Sequence, residues 1–123
     1  MIVIDASAMI EALVGREADN DLLDALQTSV HAPHLLDVEV LSVLRGLTLS
    51  GKLPPDAADQ ARADYFALTI ARYEVYGLAD RVWDLRSYTT YDACYMALAE
   101  ALDAPLYTCD HYRAEIAAFP RTH

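Results

Sequence analysis

Four acidic residues of this chain occupy positions from which carboxylates could act together. Asp5 directly follows a run of three aliphatic residues, and Asp110 follows a second apolar run. Glu39 lies inside an otherwise apolar helical run, and Asp92 lies in the first turn of a predicted helix. Carboxylate oxygens are the ligands that hard divalent cations prefer. These residue types therefore make a Mg²⁺ or Mn²⁺ site one candidate for the chemistry of the chain.

Each acid also has a purely structural explanation. An aspartate that follows a strand, such as Asp5 or Asp110, often caps the next helix. Asp92 in a first turn is favoured by the helix dipole without any further role. Glu39 is the hardest to explain in this way, because a buried carboxylate without a partner is costly. The residues three, four and seven positions after it carry no charge.

Charge repulsion is large if the four acids lie close together and small if they lie apart. Two carboxylates ~4 Å apart repel each other by about 4 kcal/mol at an effective dielectric constant near 20. Three or four carboxylates in one place need compensation, and a divalent cation supplies it. The rival metal is zinc, but the four histidines and two cysteines show no zinc-finger spacing. A gathered set therefore favours an oxygen-ligated cation.

The elements that would position these acids alternate between strands and helices. The patterns predict strands at 2–4, 30–33 and 105–108, a strand or loop at 69–73, and helices after Ser7 to near Gly15, at 19–26, 36–50, 54–68 and 78–86, from Thr89 to 102, and from 111 to 119. Asp37 is the expected cap of the helix at 36–50, and Gly51 its expected stop. This alternation predicts an α/β fold whose strand–helix junctions share one edge of a parallel sheet.

Composition limits the class of protein. A chain of 123 residues is expected to form a single domain over 1–123. No apolar run is long enough to cross a membrane and no secretory signal is visible, so we expect a cytoplasmic protein without a membrane partner. Cys94 and Cys109 are too few for a disulfide framework. The net charge of −10 argues against a broad basic face for nucleic acid, but permits a cation site or a basic protein partner.

Four motifs together resemble those of the PIN-domain ribonucleases, and among them the VapC-type toxins of toxin–antitoxin systems. They are Ile-Val-Ile-Asp-Ala-Ser-Ala around Asp5, Asp-Val-Glu-Val-Leu-Ser-Val-Leu around Glu39, Thr-Thr-Tyr-Asp-Ala-Cys-Tyr-Met-Ala-Leu-Ala-Glu around Asp92, and Leu-Tyr-Thr-Cys-Asp ending in Asp110. The first motif alone is weak, whereas the four in order are specific. The resemblance covers nearly the whole chain.

The resemblance implies a three-layer α/β/α domain around a central parallel sheet. It also implies Mg²⁺- or Mn²⁺-dependent cleavage of RNA that leaves a 5′-phosphate and a 3′-hydroxyl. The four acids then take the places of the family's catalytic quartet. In our interpretation Asp5, Asp92 and Asp110 hold the metal, and Glu39 completes the shell or orients the attacking water.

The same resemblance extends to residues around the acids. Ser7 and Thr108 take the places of polar residues that line the family's pocket. Arg86 matches a basic residue of many relatives, although a solvated arginine at a helix end explains it equally well. Two departures stand out: Ser42 replaces a common asparagine, and His111 replaces a more usual arginine or lysine. The second departure puts phosphate contacts at that position in doubt.

Partners and rival functions follow from the same comparison. The family implies inhibition by a cognate antitoxin protein and a homodimer, and a chain this acidic suits a basic partner. Trp83 is expected in the core or at an interface. A phospho-receiver domain also carries acids at strand ends, but it needs a lysine after a late strand, and the only lysine is Lys52. The remaining alternative is a catalytically silent PIN-like binding module.

Overall fold

A parallel β-sheet organises the chain. The computed structural model describes residues 1–15 and 18–109. Within them the strands are β1 (Ile2–Ile4), β2 (Val30–Pro33), β3 (Ile70–Tyr73) and β4 (Leu106–Tyr107). Their order is β3-β2-β1-β4, and every neighbouring pair is parallel. The segment at 69–73, predicted as a strand or a loop, is therefore an edge strand.

Helices make the connections between these parallel strands. In the described part of the chain they are α1 (Ala6–Val14), α2 (Asn20–Ala25), α3 (Leu35–Leu49), α4 (Pro55–Ala67), a 3-10 helix (Tyr76–Leu78), α5 (Ala79–Asp84) and α6 (Thr90–Leu102). Each α-helix corresponds to a predicted helix within a few residues, whereas the 3-10 helix was not predicted. The helix predicted beyond Asp110 lies outside the described residues. None of the described helices has the length and apolar character that a membrane crossing requires.

The strand order explains how the helices form two layers. The first two crossovers step in one direction across the sheet, so right-handed connections place α1 to α4 on one face. The chain then returns past β1 to β4, which places α5 and α6 on the other face. Contacts agree with this division, because α1, α3 and α4 pack together while α6 packs on α5 and the sheet. The predicted three-layer α/β/α architecture is confirmed.

Strand β1 is the centre of the core. It pairs with β2 on one side and β4 on the other, and Val3 and Ile4 are completely buried. A continuous aliphatic run is what a strand buried on both faces requires. The first prediction from the sequence, a buried strand that delivers Asp5 at its end, is therefore confirmed.

Local signals explain most helix ends, but the expected role of Asp37 is wrong. Helix α3 begins at Leu35, so Asp37 lies inside its first turn rather than capping it. Its carboxylate accepts hydrogen bonds from the Tyr65 hydroxyl at 2.6 Å and from Arg72 Nε at 2.9 Å. Burial by itself would lower the pKa of Arg72, but the hydrogen bond to Asp37, the charge of Asp37 and the contact with Tyr65 together outweigh it, and the net shift is upward. This contact fixes the first turn of α3 against α4 and β3.

Candidate active site

The carboxyl ends of β1 and β4 form the point at which the site is built. These strands are neighbours, and the chain leaves β1 toward one side of the sheet while β4 lies on the other. In open α/β sheets, ligands bind outside the carboxyl ends of strands at such a switch point. Asp5 follows β1 there, and its backbone N–H donates to the Tyr107 carbonyl at 3.1 Å.

Asp5 caps helix α1, and its carboxylate is also buried at the place where the candidate site lies. The residue is only 6% exposed. Its Oδ1 accepts hydrogen bonds from the Ala8 backbone N–H at 3.0 Å and from the Ser7 hydroxyl at 2.7 Å. The structural explanation considered for Asp5 is therefore correct as far as it goes. Capping fixes the carboxylate in one orientation, which a binding role would also require.

Ser7 joins the turn after β1 to the segment after β4. Its hydroxyl oxygen accepts a hydrogen bond from the Cys109 backbone N–H at 3.0 Å and lies 3.4 Å from Thr108 Oγ1. Thr108 is buried. The structure therefore places Ser7 and Thr108 next to each other, and their role in lining a pocket stays a prediction. Asp110 and His111 follow immediately in the chain and lie outside the described residues.

Glu39, on helix α3, contacts helix α6 at the edge of the sheet. It is half-buried, and its Oε1 accepts a hydrogen bond from the Tyr95 hydroxyl at 2.6 Å. Tyr95 is 3% exposed. The sequence patterns assign no role to Tyr95. The available signal was its spacing, because Tyr95 lies three residues after Asp92 and so on the same side of α6.

The charges of Asp5 and Asp92 both act on Glu39. Burial raises the pKa of Glu39 above its ordinary value, and the hydrogen bond from Tyr95 opposes that rise. The negative charges of Asp5 and Asp92 raise it further. Asp92 itself is half-buried in the first turn of α6, where its backbone N–H donates to the capping Thr89 Oγ1 at 3.1 Å. Asp5, Glu39 and Asp92 therefore form an acidic cluster.

The acidic cluster fits a hard divalent cation in its chemistry. All its donors are carboxylate oxygens, and a cation would relieve the repulsion that raises the pKa of Glu39. Among residues 1–15 and 18–109, however, no three His, Cys, Asp or Glu side chains are grouped closely enough to hold an ion by themselves. The predicted ligand set of Asp5, Asp92 and Asp110 includes a residue beyond this part of the chain.

Arg86 lies on the surface at the end of α5. Its Nη1 donates to the Trp83 carbonyl at 3.1 Å, and its guanidinium lies 5.1 Å from the centre of the Trp83 ring. Trp83 is 68% exposed, so of its two expected positions the core is wrong and an interface stays a prediction. The two residues form an exposed pair just before α6.

The parallel β-sheet flanked by helices, with carboxylates gathered beyond β1, identifies the chain as an α/β protein with an acidic site. A model of the PIN-domain family matches residues 2–118. This match covers nearly the whole chain, and the chain belongs to the PIN-domain family.

Similar proteins narrow the comparison to the VapC type. The chain is 43% identical over 113 residues to a VapC ribonuclease of Mycobacterium bovis, and the aligned region covers 89% of this chain and 86% of the relative. It is 40% identical over 125 residues to ribonuclease VapC1 of Mycobacterium tuberculosis, which covers 96% and 92%. The crystal structure of Mycobacterium tuberculosis VapC20, a sarcin–ricin loop cleaving toxin, superposes with a TM-score of 0.70 over 100% of this chain and 99% of that one. At 16% identity that last likeness concerns the fold alone.

The two roles of Asp5 can be separated by substitution in the metal-free protein. Asp5→Asn keeps an acceptor oxygen for Ala8 and Ser7 and removes one charge from the acidic cluster, so we expect unfolding free energy to stay constant or rise. Asp5→Ala loses the cap, and we expect a loss of about 1–2 kcal/mol. Urea denaturation in EDTA measures both. Both variants remove the charge, so a loss in Asp5→Asn as large as that in Asp5→Ala would contradict the expectation that relief of repulsion offsets the substitution.

The raised pKa of Glu39 predicts a pH dependence for the metal-free protein. A carboxyl whose folded pKa lies above its unfolded value stabilises the protein fully below that unfolded value, near 4.5. The stabilisation is lost as pH rises through the folded pKa. Because the side chain is only half-buried, solvent screening keeps this loss modest. We expect Glu39→Gln to remove the loss, so the variant should be the more stable protein at pH 7.

Urea titrations of parent and variant from pH 4 to pH 8 in EDTA test this expectation. The exposed Glu74→Gln variant is the matched control, because it removes one carboxylate outside the acidic cluster. The difference between Glu39→Gln and parent should grow with pH, and the control difference should not. A flat difference for Glu39→Gln would contradict the prediction.

Proposed function

We propose that this chain is a Mg²⁺-dependent endoribonuclease toxin of the VapC type, which hydrolyses RNA phosphodiester bonds and is inhibited by a cognate antitoxin. The observation that carries the proposal is the acidic cluster of Asp5, Glu39 and Asp92 beyond β1. The relatives named ribonucleases support the choice of RNA as substrate.

In the proposed site Asp5, Asp92 and Asp110 would hold Mg²⁺ or Mn²⁺. When bound, such an ion lowers the pKa of a water ligand and neutralises charge on the scissile phosphate. The chain's contribution is to keep the carboxylates in place before the ion binds. Two interactions that support this are the cap formed by Asp5 and the hydroxyl of Ser7, which also binds the backbone just before Asp110.

Glu39 is suited to handle the proton of the attacking water. Its raised pKa makes its carboxylate a stronger base than an ordinary glutamate. The Tyr95 hydroxyl donates to Oε1 and so fixes the orientation of the carboxyl group. Glu39 either completes the ligand shell or orients the water, and both roles need this fixed orientation.

The alternative is a PIN-like module that binds RNA or protein without cutting it. The sequence keeps all four acids, and the acidic cluster holds three of them against their mutual repulsion. An arrangement that costs stability is typical of a functional site. A binding module would not need it, which favours the enzyme.

Cleavage assays test the enzyme directly. We expect the purified chain to cut single-stranded RNA with Mg²⁺ or Mn²⁺ and not with EDTA. Asp5→Asn and Asp92→Asn should each reduce the rate by about a hundredfold or more, because each removes an ionic ligand. Gel analysis of end-labelled products should show 5′-phosphate and 3′-hydroxyl ends.

The matched control is Asp59→Asn, which removes the same charge from an exposed position on α4. This variant should cut at the parent rate. If Asp5→Asn and Asp92→Asn also cut at the parent rate, the proposed mechanism is wrong. If the parent binds RNA but cuts none with either ion, the binding-module alternative holds.

A cognate antitoxin and a homodimer complete the proposal for a cytoplasmic protein. The net charge of −10 suits a basic partner, and helix α3 exposes Val38 and Leu49 by 69% and 71%. Exposed apolar surface of this kind is commonly covered by another protein. Light scattering during size exclusion should give twice the mass of 13.6 kDa. A monomer at micromolar concentration would contradict the dimer, and full activity with the co-encoded partner bound would contradict inhibition.

A further inference from the structure

Trp83 and Arg86 form an exposed pair of flat side chains at the end of α5. The indole is 68% exposed, although a tryptophan is large and apolar. The guanidinium of Arg86 lies 5.1 Å from the ring centre and also donates to the Trp83 carbonyl at 3.1 Å. These two contacts hold the guanidinium against the indole. The pair is therefore ordered without being buried.

The positive charge of Arg86 has no acidic partner in the described part of the chain. Within residues 1–15 and 18–109, Arg62, Arg72 and Arg81 each form an ion pair with a carboxylate, whereas Arg86 forms none. A cation–π contact does not neutralise the charge. In a chain with a net charge of −10, this guanidinium is a local site of attraction for an anion.

The connection from α5 to α6 limits the distance between this pair and the acidic cluster. Val82 packs against Ala93 and Cys94, so α5 lies on the first turns of the helix that carries Asp92. Arg86 precedes Asp92 by six positions, a span of at most about 20 Å when fully extended. The cap and helix between them make the distance shorter. A short single strand of RNA with its phosphate at the acidic cluster could therefore reach the pair.

Resting on the proposed function, we propose that Trp83 and Arg86 form a subsite that binds one unpaired base of single-stranded RNA and its phosphate. Unpaired bases stack on aromatic rings and on guanidinium planes. The N–H groups of Arg86 would donate to the phosphate oxygens of the same nucleotide. Because stacked neighbours cover the faces of a base inside a duplex, this subsite would select unpaired RNA at a fixed distance from the cut.

Binding without cleavage isolates the subsite. A short fluorescent single-stranded oligoribonucleotide is titrated with the full chain in EDTA, and anisotropy gives Kd. Trp83→Ala should raise Kd about tenfold, as expected for the loss of one base stack. Trp83→Phe should recover most of the affinity. Phe66→Ala is the matched control, because Phe66 is 47% exposed on α4, in the opposite layer, and should leave Kd unchanged.

Two further measurements separate stacking from charge. Replacing one nucleotide at a time by an abasic one should weaken binding to the parent at a single position where Trp83→Ala shows no further loss. Arg86→Ala should lower the slope of log Kd against log salt by about 0.7, the value for one phosphate of a single strand. Trp83→Ala should leave that slope unchanged.

The outcomes distinguish the subsite from the proposed function. If the parent binds and cuts RNA but Trp83→Ala and Arg86→Ala bind as tightly, the subsite is wrong and the enzyme stands. If Trp83→Ala changes the oligomeric mass while Kd stays constant, the pair belongs to a protein interface and the subsite is also wrong. If the parent neither binds nor cuts RNA, the proposed function fails and the subsite fails with it.

Discussion

The burial of β1 between two neighbouring strands is the constraint on which the rest of the structure depends. The strand is held by β2 and β4, and its side chains fill the core from both faces. It therefore delivers Asp5 to one fixed point at the edge of the sheet. The turn after β1 then binds the segment after β4 through Ser7. Placement of the acids begins with the rigidity of this central strand.

Charge repulsion is the opposing force that the packing must withstand. Asp5 and Asp92 raise the pKa of Glu39, so the folded chain holds like charges together. The hydrogen bond from the Tyr95 hydroxyl opposes this rise. It also joins α6 to α3, which lie on opposite faces of the sheet. A contact on the far side of α3, from Asp37 to Tyr65 and Arg72, fixes the turn that precedes Glu39. The site is thus supported by Tyr95 and Asp37, to which no chemical step is assigned.

Predictions from local sequence patterns were confirmed where the structural feature depends only on residues close together in the chain. The aliphatic run of β1, the Thr89 cap of α6 and the stop of α3 at Gly51 each depend on neighbours within a few residues. Asp37 does not cap α3 because the helix already begins at Leu35, and its carboxylate instead binds Tyr65 and Arg72, which are distant in sequence. A cap is one of several uses for an aspartate in a first turn, and the sequence does not show what lies across from it.

The sequence by itself determined the α/β class, the order of the elements, the family resemblance and the candidate acids. These features could be predicted because the spacing of hydrophobic residues, the capping residues and the order of motifs depend only on the order of residues in the chain. Only the tertiary structure decided that Tyr95 binds Glu39, that Ser7 links both strand ends, and that Trp83 is exposed beside Arg86. The contacts of Tyr95 and Ser7 join residues 56 and 102 positions apart. The exposure of Trp83 depends on which face of a short helix the fold leaves uncovered, and local sequence carries no record of that choice.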